Sequence, residues 1–113
     1  MKVKEKLSVA NEFADNPGAR DREDGPNSGQ EFLEEYLLKR FDKAVEDGYI
    51  LEIDFDGLWG FPSSFVSGSF GRLSMDKGHG LVLKHLQFKS EKNPMRIDKV
   101  IEEIKNPTGK NIR

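Results

Sequence analysis

A chain of 113 residues with a formal net charge of −2 has room for one domain and lacks the basic excess that most nucleic-acid-binding proteins carry. It contains no cysteine, which excludes disulfide bonds and thiolate chemistry and is compatible with a reducing cytoplasm. No stretch approaches the ~20 apolar residues that cross a membrane, and the charged amino terminus does not look like an export signal. These features predict a cytoplasmic protein whose partner is neither a membrane nor a nucleic acid.

The first predicted element is a short strand near the amino terminus. Val3, Leu7 and Val9 alternate with lysine and serine, which is typical of a partly exposed strand at the edge of a sheet. Residues 16–29 follow as a long loop, since they hold repeated glycine, proline and asparagine turn signals. Loops of this length inside a compact domain are often functional or mobile, and a plain flexible connection is the alternative.

A long helix is predicted from about Gly29 to Asp47. Ser28 and Glu31 match the capping-box spacing. Glu31, Glu34 and Glu35 lie near the start of the segment and Lys39, Arg40 and Lys43 come later, an order that complements the helix dipole. Apolar residues recur at helical spacing through the segment, and Gly48 suits the left-handed position that ends many helices.

The centre of the chain is predicted to form a strand, a loop and a helix. Within residues 49–55, Leu51, Ile53 and Phe55 fall on one face and Glu52 and Asp54 on the other, which predicts the strand. Asp56-Gly57 breaks it, and Pro62-Ser63-Ser64 begins a helix. A turn over 76–80 and a strand over 81–88 follow.

The last predicted helix begins at Asn93-Pro94 and stops at Asn106-Pro107, where a proline ends the apolar repeat. Alternating strands and helices predict the α/β class, with a small, mostly parallel or mixed sheet and crossover helices. We therefore expect one domain over 1–106 and a flexible tail over 107–113.

Several motifs together resemble those of the STAS-like domains of unknown function found in bacterial proteins. Pro-Gly-x-Arg, Ser-Gly-x-x-Phe and Ser-Ser-Phe stand here at 17–20, 28–32 and 63–65, with Phe70-Gly71 further on. The resemblance spans about 7–104 and implies a STAS-like fold. The related anti-sigma-factor antagonists carry an acid before their serine pair and a glycine after it, where this chain has Pro62 and Phe65.

The resemblance implies a non-enzymatic, regulatory protein-interaction module in a bacterial cytoplasm, with a histidine-kinase-like ATPase as one expected partner. The predicted docking residues are Arg20, Trp59, Phe65 and Phe70. Trp59 stands in a loop between glycines, where it is either an exposed anchor for a partner or a lid over the core.

The resemblance also aligns Ser63 with the serine that a partner kinase phosphorylates, and Ser64 is the neighbouring candidate phosphoacceptor. A helix amino terminus offers unpaired N–H groups and positive potential, which favour a phosphate there. The structural alternative is that one of the two serines only caps the helix.

The alternative function is a small-ligand or nucleotide-binding domain. It would use the 16–29 loop with Arg20, whose planar guanidinium suits carboxylate and phosphate groups. Asp54 and Asp56 would join it at the carboxyl end of the central strand, where open α/β sheets place their sites. The alternatives are that Arg20 braces the loop and that the two aspartates shape the turn.

Catalytic and metal chemistry have little support in the sequence. It contains no G-x-S-x-G elbow, no P-loop and no dinucleotide-binding fingerprint. His79 and His85 are the only histidines, and without cysteine they would need carboxylates to complete a zinc site. We expect His79 in an exposed turn and His85 on a strand face, and we predict no catalytic residue, no metal and no cofactor.

Overall fold

The computed structural model describes residues 1–111 and places three strands in one sheet. The strands β1 (Val3–Ser8), β2 (Ile50–Asp54) and β3 (Leu86–Lys89) lie in this order, and both neighbouring pairs are parallel. The alternating residues Leu51 and Ile53 of β2 are fully buried, as a central strand requires. The predicted α/β class and the position of β1 at an edge are confirmed.

Helices make the connections between the strands. They are α1 (Val9–Glu12), α2 over 29–47, α3 over 63–77, α4 (His79–His85) and α5 (Met95–Lys105). The two longest contain π-helical turns, at Leu33–Leu37 in α2 and at Ser67–Gly71 in α3. The α-helical parts on either side are Gly29–Phe32 and Leu38–Asp47 in α2, and Ser63–Val66 and Arg72–Lys77 in α3. Short 3-10 helices lie at Arg22–Asp24 and Thr108–Asn111.

Helix α2 begins and ends where its sequence predicts. The hydroxyl of Ser28 accepts a hydrogen bond of 3.0 Å from the backbone N–H of Glu31, which satisfies one of the unpaired donors of the first turn. Gly48 follows the helix with φ 71° and ψ 46°, a left-handed conformation that glycine adopts without a side-chain clash. Phe32 and Phe41 are fully buried, so the apolar stripe of α2 is part of the core.

The segment before β3 differs from its prediction. Residues 81–88 were expected to form one strand, but the first five belong to α4 and only Leu86 and the residues after it enter the sheet. Within α4, Val82 and His85 are buried while Leu81 is exposed. This spacing of three residues suits a helix that buries one face, and a short apolar run does not by itself distinguish it from a strand.

Helices α2 and α3 pack so closely that their backbones touch. A Cβ added to Gly29 would overlap the carbonyl oxygen of Phe65 and lie 2.7 Å from backbone atoms of Gly68 and Ser69. A Cβ added to Gly68 would overlap the carbonyl of Arg20, in the 16–29 loop. The loop is also bonded to the start of α2, where the N–H of Gly29 donates to the carbonyl of Ala19 at 2.9 Å. Because Gly29 and Gly68 have no side chains, the 16–29 loop, α2 and α3 can pack in direct backbone contact.

The end of the described chain lies against the domain. Pro107 and Gly109 are buried, and the hydroxyl of Thr108 is 3.2 Å from that of Ser67 in α3. The flexible tail expected over 107–113 and the domain boundary at residue 106 stay predictions, and residues 112–113 lie outside the described residues. None of the helices within residues 1–111 has the length and apolar character needed to cross a membrane.

Candidate interaction surface at the carboxyl end of the sheet

The loop after β2, residues 55–62, is fixed by hydrogen bonds and by buried side chains. The N–H of Phe55 donates to the carbonyl of Lys89 at 2.8 Å, and the N–H of Trp59 donates to the carbonyl of Asp15 at 2.7 Å. Leu58 is buried within the same loop. The indole of Trp59 is 85% exposed. A well-anchored loop thus presents an aromatic side chain to solvent.

Two cations of α5 hold this loop from the other side. Arg96 donates through Nη1 to the carbonyls of Phe55 at 3.3 Å and Leu58 at 3.2 Å. Lys99 donates through Nζ to the carbonyl of Phe61 at 2.5 Å. Both cations also lie near the face of the Phe61 ring, 5.9 Å and 5.7 Å from its centroid. The aromatic ring favours positive charge at its face, so the two cations lie together beside the loop.

Asp56 connects the end of β2 to the turn after β3. Its carboxylate oxygens accept hydrogen bonds of 3.1 Å from the backbone N–H groups of Glu91 and Lys92. The bond from the Lys92 backbone, followed by the bond from Glu91, lowers the pKa of Asp56 below its ordinary value of 3.8. The carboxylate is therefore a structural acceptor that joins two loops.

The lowered pKa of Asp56 predicts how its contribution depends on pH. The unfolded chain binds the proton more tightly than the folded one, so the stabilisation is complete above the ordinary pKa of 3.8 and is lost as the pH falls through the lower folded value. We expect Asp56→Asn to lower the free energy of unfolding at about pH 7 and to lower it progressively less as the pH falls below 3.8. Urea unfolding followed by circular dichroism measures the effect at each pH.

The control for this prediction is Asp15→Asn, because the exposed carboxylate of Asp15 accepts no hydrogen bond within residues 1–111. It should change the free energy of unfolding by less than about 0.5 kcal/mol. If Asp56→Asn were as harmless as this control at about pH 7, the carboxylate would not anchor the turn.

Two neighbouring hollows lie over the loop and the start of α5, with volumes of about 410 Å³ and 420 Å³. Asn93 and Arg96 line both hollows, so the two are adjacent. Met95, 77% exposed, lines the second. We name this region the carboxyl-end surface and define it as Trp59, Phe61, Lys92, Asn93, Met95, Arg96 and Lys99.

Of the predicted docking residues, Trp59 is exposed and two others are not. Phe65 and Phe70 are fully buried in the core, so the prediction that they contact a partner is wrong for this structure. They lie on the inner face of α3, because that helix packs against α2, and their rings contact other phenylalanines. The ring centroid of Phe65 lies 5.6 Å from that of Phe32.

The candidate phosphoacceptors Ser63 and Ser64 are exposed at the amino end of α3. Ser63 is the first helical residue, and Pro62 precedes it at the capping position without a side-chain hydrogen bond. The alternative that Ser63 only caps the helix is therefore not supported by its geometry. Their hydroxyls are accessible, and Phe61 of the carboxyl-end surface is two residues away in the chain.

Arg20 lies in a different place from the carboxyl-end surface. Its Nε donates to the hydroxyl of Ser67 at 3.1 Å, and its Nη1 lies 3.4 Å from a carboxylate oxygen of Asp21. Arg72 of α3 pairs with the same carboxylate. The side chain of Arg20 is only 23% exposed. These contacts correspond to the alternative in which Arg20 braces the 16–29 loop against α3.

The aspartates of the alternative function are engaged within the chain. Asp54 accepts a hydrogen bond of 2.8 Å from the N–H of Asp56, and its other oxygen lies 3.8 Å from Nζ of Lys89. Arg20 lines neither hollow, so the structure does not bring the three residues to one site. In the part of the chain that is described, no group of three or more histidine, cysteine or acidic side chains has the arrangement of a metal site.

The two histidines also lie on α4. His79 is exposed at the first residue of that helix, and His85 is buried near its end, where Nδ1 lies 2.9 Å from the carbonyl oxygen of Tyr49. The expected position of His85 on a strand face is therefore wrong, because the strand begins one residue later at Leu86.

Sequence reasoning missed the basic half of the carboxyl-end surface. The overall charge of the sequence shows no basic excess and did not single out Lys92, Arg96 or Lys99. The available signal was the spacing of three residues between Arg96 and Lys99 beside the exposed Met95, since helical neighbours three apart share a face. Lys92 precedes the helix and joins this face through the turn after β3. The sequence alone did not reveal that the 55–62 loop lies against this face.

Comparison with known families gives one match, to the STAS-like domain of unknown function (DUF4325), over residues 28–96. No match was found among curated proteins or among solved structures. The matched region runs from the cap of α2 to Arg96 and leaves the Pro-Gly-x-Arg motif outside, so it is shorter than the predicted span of 7–104. The compact α/β structure with its parallel sheet is consistent with a STAS-like fold.

STAS-like domains generally act in protein interactions, and the match therefore indicates a regulatory or interaction module. The matched residues, 28–96, make up more than half of the 113-residue chain and include β2, α2, α3 and the start of α5. They also include most of the carboxyl-end surface. The chain belongs to the family of STAS-like domains of unknown function.

Proposed function

We propose that the chain is a non-enzymatic regulatory module that docks on a protein partner through the carboxyl-end surface. The observation that carries this proposal is the 85% exposure of Trp59 on a loop held by hydrogen bonds. Exposed tryptophans are frequent hot spots of protein interfaces, because they bury a large area when a partner covers them. By family resemblance, the partner is a histidine-kinase-like ATPase in a bacterial cytoplasm.

The rigidity of the loop supports docking as a function. Binding costs free energy when a surface must be ordered, and a preorganised surface reduces that cost. Here Asp56 fixes the beginning of the loop, Arg96 holds its middle, and Lys99 holds the carbonyl of Phe61 near its end. Met95 adds a second exposed apolar side chain, in the hollow next to the one that Trp59 lines, and flexible methionines adapt to irregular partner surfaces.

The small-ligand alternative has less support from the geometry. Small-molecule sites bury most of their ligand's surface, whereas both hollows are open to solvent. The carboxylates of Asp54 and Asp56 accept hydrogen bonds from the chain itself. These features favour the broad contact of a protein over an enclosed ligand.

The test is quantitative capture of proteins from the native host with three baits, which are the wild type, Trp59→Ala and Leu81→Ala. Leu81 is a matched control, because it is an exposed apolar residue on α4, the helix that leads into the amino end of β3. The proposal expects a protein that the wild type and Leu81→Ala retain equally and that Trp59→Ala loses. The captured protein is then purified, and calorimetry should give a Kd at least about tenfold weaker for Trp59→Ala.

If the same proteins bound all three baits equally, docking through Trp59 would be refuted. A captured protein that lacks a kinase-like ATPase domain would refute the assignment of the partner class alone. Circular dichroism of each bait establishes that all three are folded before the comparison.

Ser63 is proposed as the site where phosphorylation controls docking. A phosphate adds about −1.5 to −2 charges at the exposed start of α3, close in the chain to Phe61 of the docking surface. We expect Ser63→Asp to fold normally and to bind the captured partner at least about tenfold more weakly. Ser63→Ala should fold and bind like the wild type.

Mass spectrometry of the protein from its native host should find phosphate on Ser63. Ser64→Asp is the control variant, because it places the same charge on the next exposed residue. Full partner binding by Ser63→Asp, with no phosphate on either serine in any growth condition, would contradict the control mechanism and leave the docking proposal intact.

A further inference from the structure

The carboxyl-end surface combines exposed apolar atoms with cations that form no ion pair in the part of the chain that the structure describes. Within residues 1–111, neither Lys92, Arg96 nor Lys99 forms an ion pair. Arg96 uses only Nη1 for the carbonyls of the 55–62 loop, so its Nε and Nη2 have no acceptor in the described chain. Nζ of Lys92 is likewise without a hydrogen bond there. These donors are available to an acidic group from outside.

The residues that line the two hollows include three cations, Lys92, Arg96 and Lys99, and one carboxylate, that of Asp56. The Asp56 carboxylate accepts backbone N–H groups at both oxygens and keeps its negative charge. Glu91 and Asp98 are exposed but line neither hollow. The amino end of the 11-residue helix α5 adds further positive potential at Met95. The surface is therefore locally basic on a chain whose formal net charge is −2.

We infer that the occupant of the carboxyl-end surface is an acidic peptide segment of the partner, with a large apolar side chain among its carboxylates. The carboxylates pair with Lys92 and with the outer nitrogens of Arg96, and the apolar side chain packs on Trp59 and Met95. The two hollows adjoin at Asn93 and Arg96, which suits an extended segment that covers both better than a compact molecule. This inference rests on the proposed function and specifies the chemistry of its partner.

Single-stranded nucleic acid is the other class of molecule that binds exposed aromatic and basic side chains. Such sites follow the phosphate backbone with a long basic groove. Here the cations lie within one short segment, 92–99, and the rest of the chain is slightly acidic. Charge complementarity over so short a distance favours a few carboxylates on a peptide.

The first experiment lets the protein select its own ligand. A display library of random peptides of about 12 residues is selected on the immobilised full chain, with Trp59→Ala protein used for counter-selection. The inference expects an enriched consensus that contains aspartate or glutamate together with leucine, phenylalanine or another large apolar residue. A basic or uncharged consensus, or no enrichment over the Trp59→Ala protein, overturns it.

The second experiment measures the affinity of one synthetic consensus peptide by calorimetry. Lys92→Glu should weaken binding at least about tenfold, because it places a like charge opposite a carboxylate. Lys84→Glu is the control, since Lys84 is an exposed lysine on α4 that forms no ion pair in the described residues and gives the same change in net charge. It should change the affinity less than about twofold. Equal effects of the two variants overturn the inference.

Competition experiments distinguish an acidic peptide from the other classes of molecule that could occupy the surface. The peptide should remain bound in the presence of oligothymidylate or ATP, and raising sodium chloride from about 50 mM to about 500 mM should weaken its binding, because exposed ion pairs are screened. The inference is overturned if oligothymidylate or ATP displaces the bound peptide when the competitor is present at a lower concentration than the peptide. A cellular partner that Trp59→Ala loses but that lacks an acidic segment would leave the proposed function standing and refute only the peptide chemistry.

Discussion

Phe70→Ala should lower the free energy of unfolding by about 3–5 kcal/mol, the usual cost of removing a buried aromatic ring. Phe70 is fully buried, and its ring centroid lies 6.0 Å from that of Phe32, 5.8 Å from Phe55 and 5.6 Å from Phe88. These rings come from α2, the end of β2 and β3, so the truncation leaves a cavity where sheet and helices meet. Urea unfolding followed by circular dichroism measures the loss.

The matched control is Trp59→Ala, which truncates another aromatic residue of the central segment. Because Trp59 is 85% exposed, its removal should change the free energy of unfolding by less than about 0.5 kcal/mol. Where Phe70→Ala does not fold, Phe70→Leu retains most of the apolar volume and should show a smaller loss. If the Phe70 variant were as stable as the Trp59 variant, Phe70 would not be a core residue, and its predicted role as an exposed docking residue would stand.

Gly29→Ala should be costly for so small a substitution, with an expected loss of about 1–3 kcal/mol. Alanine normally stabilises a helix relative to glycine. Here its methyl group would overlap the carbonyl of Phe65 and crowd the backbone of Gly68. The obstructing atoms are main-chain atoms, which cannot rotate away as a side chain does, so α2 and α3 must separate. Thermal and urea unfolding measure the change.

Gly80→Ala is the control for Gly29→Ala, and we expect the opposite result for it in the same assay. Gly80 lies in α4, and nothing lies within 4 Å of an added Cβ. The substitution should therefore be neutral or stabilise the protein by up to about 1 kcal/mol through helix propensity. A similar response of Gly29→Ala would show that α2 and α3 adjust to the methyl group, and the close backbone contact would not be a requirement of the fold.

The parts of the fold that sequence predicted correctly have redundant local signals. Helix α2 has a serine cap, a long apolar stripe and a glycine at its end, and all three agree. In the strand β2, Leu51 and Ile53 are buried and alternate with the acidic Glu52 and Asp54, because one face of the strand covers the core. Either element is specified by residues close in the chain, so no tertiary information was needed to identify it.

The parts that sequence did not predict depend on contacts distant in the chain. The apolar run from Leu81 to Leu83 is too short for its periodicity to distinguish a helix from a strand. The burial of Val82 against the rest of the domain favours the helix α4. Phe65 and Phe70 follow a helical spacing that is common to core and interface. Only the packing of α3 against α2 places them inside.

Of the candidate site, only the apolar part could be predicted from the sequence. Trp59 drew attention because of its type and its neighbouring glycines, yet its exposure depends on the hydrogen bond to Asp15, about forty residues earlier in the chain. The proximity of Arg96 and Lys99 to the 55–62 loop follows from the parallel order of β2 and β3. A sequence pattern within one segment does not contain that relation.

Because Trp59 is exposed, the folding of the protein and its docking on a partner can be followed by two different optical signals. It is the one tryptophan of the chain, and its indole is nearly as exposed in the folded protein as in an unfolded one. Its fluorescence should therefore change little when the domain unfolds. It should shift to shorter wavelength when a partner covers the carboxyl-end surface and excludes water from the ring. Folding is thus followed by circular dichroism and docking by tryptophan emission, in one sample and without an added label.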